Sequence, residues 1–210
     1  IKGSPMAVRH QDRHRVLLAQ EAARIMADEG VRDFRLAKRK AAERLGLPVN
    51  GTLMPRNTEV EQALIDHQRL FNGAGHSHHL RLLREAALEA LDFFVRFRPR
   101  MVGSVLSGSA GTHSAVDLHL FADTTEDVML FLVEHDIPFE TAERRMRMGP
   151  DDYQWFPVYQ FAAGDVPMDL VVFPEKYERR PPWSPVDAKP MRRAGRGELQ
   201  ALLALDSDTV

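Results

Sequence analysis

The hydrophobic period of the chain changes once, near Pro99, and that change limits the architectures open to it. From Arg9 to Glu29, Val16, Ala19, Ala23 and Met26 recur at helical steps, widened by Leu17, Leu18 and Ile25, until Gly30 interrupts. A second helix is expected over about 33–45, with Phe34, Ala37, Ala41 and Leu45 on one face and Gly46 and Pro48 as its stop. A third fits Thr58 to Phe71, capped by Thr58, with Val60, Leu64 and the Leu70–Phe71 pair facing inward. The stretch NGAG then breaks the pattern. A fourth helix runs from Ser77 to about Arg96 on Leu80, Leu83, Ala87, Leu91 and Phe94.

Beyond Pro99 the period is that of strands. VDLHLF alternates, IPFETAERRMRM suits a solvent-facing strand, and WFPVYQF and VPMDLVVF are apolar runs rich in β-formers. Gly164 and Asp165 between the last two have the chemistry of a tight hairpin turn. One helix, 125–135, separates strands, with Thr124 and Asp127 spaced for a capping box. A proline- and arginine-rich loop follows Phe173, and a short helix from Glu198 to about Leu205 closes the pattern. The fold class expected is α+β. The organisation expected is a cloning remnant over 1–5, a helical region over 6–97 and an α+β domain over 98–210.

Composition narrows the function classes. Hydrophobic residues make up 44% and charged residues 28% of the chain, enough of each for a packed core with a solvated surface. No apolar run reaches the roughly 18 residues of a membrane span. Without cysteine there is no disulfide, thiolate metal site or cysteine nucleophile, and a cytoplasmic location is expected. A net charge of -2 gives no global attraction to nucleic acid, so polyanion binding requires a local patch.

The densest chemistry lies in GSVLSGSAGTHSAVDLHLF, residues 103–121. Gly103 and Ser104 form a pair suited to close approach of phosphate oxygens, and Gly108 is a further glycine of the same loop. Asp117 stands in an alternating strand. Asp169 is flanked by Met168, Leu170, Val171 and Val172, where a carboxylate needs a partner or a metal. This pattern resembles the signature of the polymerase-β-type nucleotidyltransferase superfamily: a Gly-Ser pair, then an acidic–apolar–acidic triplet on a strand, then a third carboxylate on a later strand. The resemblance covers roughly 98–175.

The resemblance implies a mixed sheet with flanking helices, a nucleoside triphosphate as ligand, and Mg2+ or Mn2+ as cofactor. It implies phosphate contacts at Gly103, Ser104 and Gly108, and catalytic, metal-holding carboxylates at Asp117 and Asp169. Nucleotidyl transfer of this type uses two divalent cations to activate the attacking hydroxyl and stabilise the leaving pyrophosphate. Side chains at i and i+2 on a strand point the same way, which is why the triplet aims two carboxylates at one metal pair. Here Ala115 stands at the first acidic position of the triplet. Read one step later, the triplet becomes Asp117 and His119, which adds His119 to the candidate metal ligands and suits a transition metal better than magnesium. Asp123 or Asp152 could also supply the missing carboxylate.

Three functions therefore stay open: metal-dependent nucleotidyl transfer to an unidentified acceptor; a catalytically degenerate domain that binds nucleic acid or protein; and a hydrolase built on Asp117, His119 and Asp169. For the second, the segment 31–46 carries six basic residues against two acidic ones, with Arg32, Arg35 and Arg39 on one face of the expected helix. Further basic clusters lie at 144–148, 178–183 and 189–196, where triphosphate contact is the functional alternative to a solvated surface. Trp183 either covers a base or packs on the sheet. His76, His78 and His79 in HSHH are weaker metal candidates because no acidic cluster adjoins them, and His10 with His14 are weaker still because they lie near the expected cloning remnant.

Overall fold

The computed structural model describes residues 5–49, 51 and 53–207, with side chains of 5–11, 71, 72, 74 and 207 also outside the description. Residues 1–4, which carry most of the expected cloning remnant, and the side chain of His10 lie outside the described residues. The chain divides into two compact units. One runs to His76 and includes Gly111–His113; the other comprises Ser77–Ala110 and the chain from Ser114 onward.

The first unit contains α1 (Pro5–Glu29), α2 (Phe34–Leu45) and the opening turns of α3 (Asn57–Phe93). Asp33 caps α2 by accepting a 2.7 Å bond from the Leu36 amide, and Gly46 stops it in the left-handed conformation, φ 62°. Leu18, Ala22 and Ile25 of α1 bury against Ala37, Ala41 and Ala42 of α2 and Val60 of α3. The small alanine face lets these helices approach closely. Thr58 lies inside α3 rather than before it; Glu59 instead accepts a 2.7 Å bond from the Arg56 amide.

The third and fourth expected helices are recorded as α3, broken at Gly73, where the backbone leaves helical geometry. The part of α3 from Ser77 onward belongs to the sheet unit, because Leu80, Leu83, Ala87 and Leu91 bury in the same cluster as strand residues Leu118, Leu120, Leu170 and Val172.

The second unit is α+β. Its five-stranded mixed sheet has the order β1-β2-β5-β4-β3, formed by β1 (Arg100–Val102), β2 (Val116–Ala122), β3 (Glu140–Arg147), β4 (Tyr153–Ala163) and β5 (Val166–Pro174). β2 and β5 run parallel, whereas the other neighbouring pairs are antiparallel. α4 (Gly103–Ser107), α5 (Thr125–Glu134) and α6 (Arg196–Ser207) complete the unit. The α5 capping box forms as expected, with Thr124 and Asp127 bonding each other's backbone. Alternation along β2 and β5 places Leu118, Leu120, Leu170 and Val172 toward α3 and α5, and turns Asp117, His119, Phe121, Asp169, Val171 and Phe173 to the opposite face.

Candidate functional site

Two acidic residues distant in sequence meet because β2 and β5 pair in parallel with Asp117 directly opposite Asp169. Their carboxylates share the sheet face turned away from α3 and α5. The Asp169 side chain is only 5% exposed and that of Asp117 is 18% exposed, so both need compensation for lost water.

The compensation comes from Arg144 on β3. Its Nη1 donates to Oδ1 of Asp117 at 2.7 Å, and its Nη2 donates to Oδ2 of Asp169 at 2.6 Å. One planar guanidinium thus bridges both carboxylates with charge-assisted hydrogen bonds. Gln160, opposite Asp169 on β4, donates from Nε2 to its other oxygen at 2.9 Å. The two carboxylates hold Arg144 firmly protonated, outweighing the effect of its burial.

Gly103 opens α4 beside this pair with φ 75°, in the left-handed region. The left-handed backbone favours glycine here, and a Cβ would lie 2.9 Å from Oδ2 of Asp117, so that the carboxylate would have to shift to admit one. Ser104 is the next residue of the same short helix, and Gly108 ends it at φ 86°, its amide bonded to the Ser104 carbonyl. The stretch expected to be a phosphate loop is therefore partly helical. Gly103 and Asp117 are brought together, while Gly108 acts as the stop of α4, near Arg84.

His119 shares a strand face with Asp117 but is fully buried, and its ring lies 4.6 Å from that of Phe173. Its Nδ1 accepts a 3.0 Å bond from Nε of Arg193, so the neutral ring carries its proton on Nε2. Arg193 also donates to the carbonyls of Tyr177 and Glu178 and lies over Phe121 and Phe173. Burial lowers its pKa to about 10, with Arg100 adding repulsion. His119, a candidate metal ligand in the sequence, is thus placed with its Nδ1 held by Arg193 and its ring packed against Phe173.

Burial first, and then Arg193 and Arg144, push the His119 pKa well below its usual value. The unfolded chain then binds a proton that the folded chain refuses. The associated stability is fully present above about pH 6.5 and is lost as pH falls toward the folded value, at about 1.4 kcal/mol per pH unit. Thermal unfolding between pH 7 and 5 should show this slope in the native chain and a shallower one in His119→Phe. Equal slopes would remove His119 as its source.

Ala115 is 2% exposed immediately before β2. Neither alternative aspartate replaces the missing ligand: Asp123 is exposed beyond the end of β2, and Asp152 lies in the β3–β4 turn, accepting from Gln154. Among the described residues no group of three or more His, Cys, Asp or Glu side chains is arranged to hold a metal ion. The donor set is thus two carboxylates, both engaged by Arg144. Two such hard oxygen donors suit one divalent cation that takes its other ligands from water or phosphate, and do not suit a two-ion centre.

The bridging part played by Arg144 is not legible in the sequence, where it is one member of the basic cluster 144–148. Alternation along β3 puts Ala142 and Arg144 on one face, and strand pairing aligns that face with Val158 and Gln160, but only the strand order reveals its partners. The other arginines of that cluster stack instead, Arg145 over Tyr153 and Arg147 over Trp183. Trp183 thus packs against β3. Near the chain end, Arg192 pairs with Glu198 and Arg196 with Asp92.

Part of the basic helix of the first unit is paired with acidic side chains, Arg39 reaching Glu43 at 4.0 Å. Lys40 and Arg44 pair with Glu29, Arg44 also reaches Glu21, and Lys38 donates to the Pro55 carbonyl. His76, His78 and His79 fall within α3 rather than at its start, with His76 buried. No helix among the described residues is long and apolar enough to cross a membrane. Comparison with protein-family models and with curated proteins finds no match to this chain.

Proposed function

We propose that the sheet unit is a nucleotidyltransferase-like domain that binds a nucleoside triphosphate beside Asp117 and Asp169, with one divalent cation between protein and phosphates. The supporting observation is the convergence of Gly103, Asp117 and Asp169 beside one sheet face, where a Cβ at Gly103 would lie 2.9 Å from Oδ2 of Asp117. In this reading the Gly103–Ser104 backbone holds phosphate and the two carboxylates hold the cation. A one-cation site of this kind supports triphosphate binding, and nucleotidyl transfer to an acceptor hydroxyl would have to proceed there without the second cation.

Calorimetric titration of the four ribonucleoside triphosphates, with magnesium, with manganese and with chelator, tests it. Binding that requires a divalent ion and falls at least tenfold in Asp117→Asn is the expected result. Absence of binding under every condition would refute the reading. The Arg144 bridge and the buried Ala115 favour a second reading, a catalytically degenerate domain that serves as a binding module. That reading expects the function of the protein to survive Asp117→Asn and Asp169→Asn unchanged.

A further inference from the structure

Arg144 occupies the position between the carboxylates where a cation would bind, and its own placement gives it a way out. It belongs to the edge strand β3, and its side chain is 32% exposed, compared with 5% for Asp169. The carboxylates are therefore fixed by the central strands, while the guanidinium reaches them from the rim of the sheet. With Arg144 in place, the three groups carry a net charge of one negative. A divalent cation arriving alone gains little from that residual charge and has to break two short charge-assisted bonds. It also leaves the guanidinium to water.

A triphosphate changes this balance, because its anionic oxygens can accept two hydrogen bonds from the displaced guanidinium in place of the one it gives to each carboxylate. Building on the nucleotide-binding reading above, we propose that Arg144 makes cation binding at Asp117 and Asp169 conditional on the triphosphate. It acts as an internal counter-ion, neutralising the carboxylates in the empty site and passing to phosphate when the metal–nucleotide complex enters. Arg144 thereby serves as a positioning residue that excludes free metal.

The signature is a change of opposite sign for two ligands. In Arg144→Gln, Mn2+ alone, followed by electron paramagnetic resonance of the free ion, should bind at least tenfold more tightly than in the native chain. Binding of ATP in the presence of Mg2+ should weaken at least fivefold, because the phosphate partner is gone. Arg144→Lys, which keeps the charge but cannot bridge both carboxylates, should shift Mn2+ affinity in the same direction by a smaller factor, so the test survives if the glutamine variant does not fold. The native chain supplies an independent measurement: Mn2+ alone should bind weakly, and its uptake should not change in Asp117→Asn.

Mn2+ affinity that is unchanged or reduced in both Arg144 variants would overturn the proposal, as would tight Mn2+ binding by the native chain that Asp117→Asn abolishes. Failure of the underlying reading looks different: no variant binds ATP, while the Mn2+ comparison still reports whether Arg144 excludes the ion. A purely structural role for Arg144 predicts that both ligands weaken together.

Discussion

Replacing Phe173 with alanine is expected to destabilise the sheet unit by about 4 kcal/mol, the usual scale for deleting a buried aromatic ring. Phe173 is fully buried at the centre of an aromatic cluster, with ring centroids 4.3 Å from Phe156, 4.6 Å from His119 and 6.0 Å from Phe121. The Arg193 guanidinium lies 5.1 Å from the same ring. Truncation therefore removes contacts to two neighbouring strands and to the loop that carries Arg193. The cavity has little means of collapse, since β2 and β4 flank β5 and fix its walls. Phe173→Leu should cost less than half as much. Urea unfolding of both variants checks the pair, and a loss of under about 1.5 kcal/mol for alanine would mean that the cluster repacks.

The second large effect is expected at Asp206. Arg84 is a buried charge, 6% exposed, whose Nη1 reaches both carboxylate oxygens of Asp206 at 2.7 and 2.8 Å and whose Nε reaches the Val105 carbonyl. Asp206→Ala strands that guanidinium with one neutral acceptor. A loss of about 3 kcal/mol follows from leaving a buried charge unpaired, equivalent to roughly 6–12 °C in melting temperature for a chain of this size. The double variant Arg84→Met, Asp206→Leu should be more stable than the single Asp206→Ala, because it removes the stranded charge together with its partner. Equal losses would show that the pair acts through packing alone.

The elements most legible in the sequence are those whose signals are local. The hairpin turn at Gly164 and Asp165, the capping box of α5 and the Asp33 and Gly46 boundaries of α2 each depend on residues a few positions apart. β1 and α4, at three and five residues, are too short for periodicity to register. The site divides along the same line. Asp169 stands out because a carboxylate inside an apolar strand has to be compensated. The identity of that compensation is not local: it depends on β5 lying between β2 and β4, with β3 at the rim. The setting of His119 is legible only in part. Alternation assigns it to the Asp117 face correctly, yet that face is closed by aromatic rings one step along the strand.

The position of β3 also bears on association through the sheet edge. An unpaired sheet edge invites strand addition from another molecule, with aggregation as the end state. At the opposite edge β1 is partly covered, Met101 exchanging backbone hydrogen bonds with Ala194. β3 is met at its end, where the Trp183 amide donates to the Arg147 carbonyl, and it carries Glu140, Glu143, Arg144, Arg145 and Arg147 in eight residues, with Arg144 turned inward over the sheet. A strand docking there would confine this charge-rich segment in a drier environment. The guanidinium that bridges two acids at the site thus belongs to a charged rim that discourages edge-to-edge polymerisation.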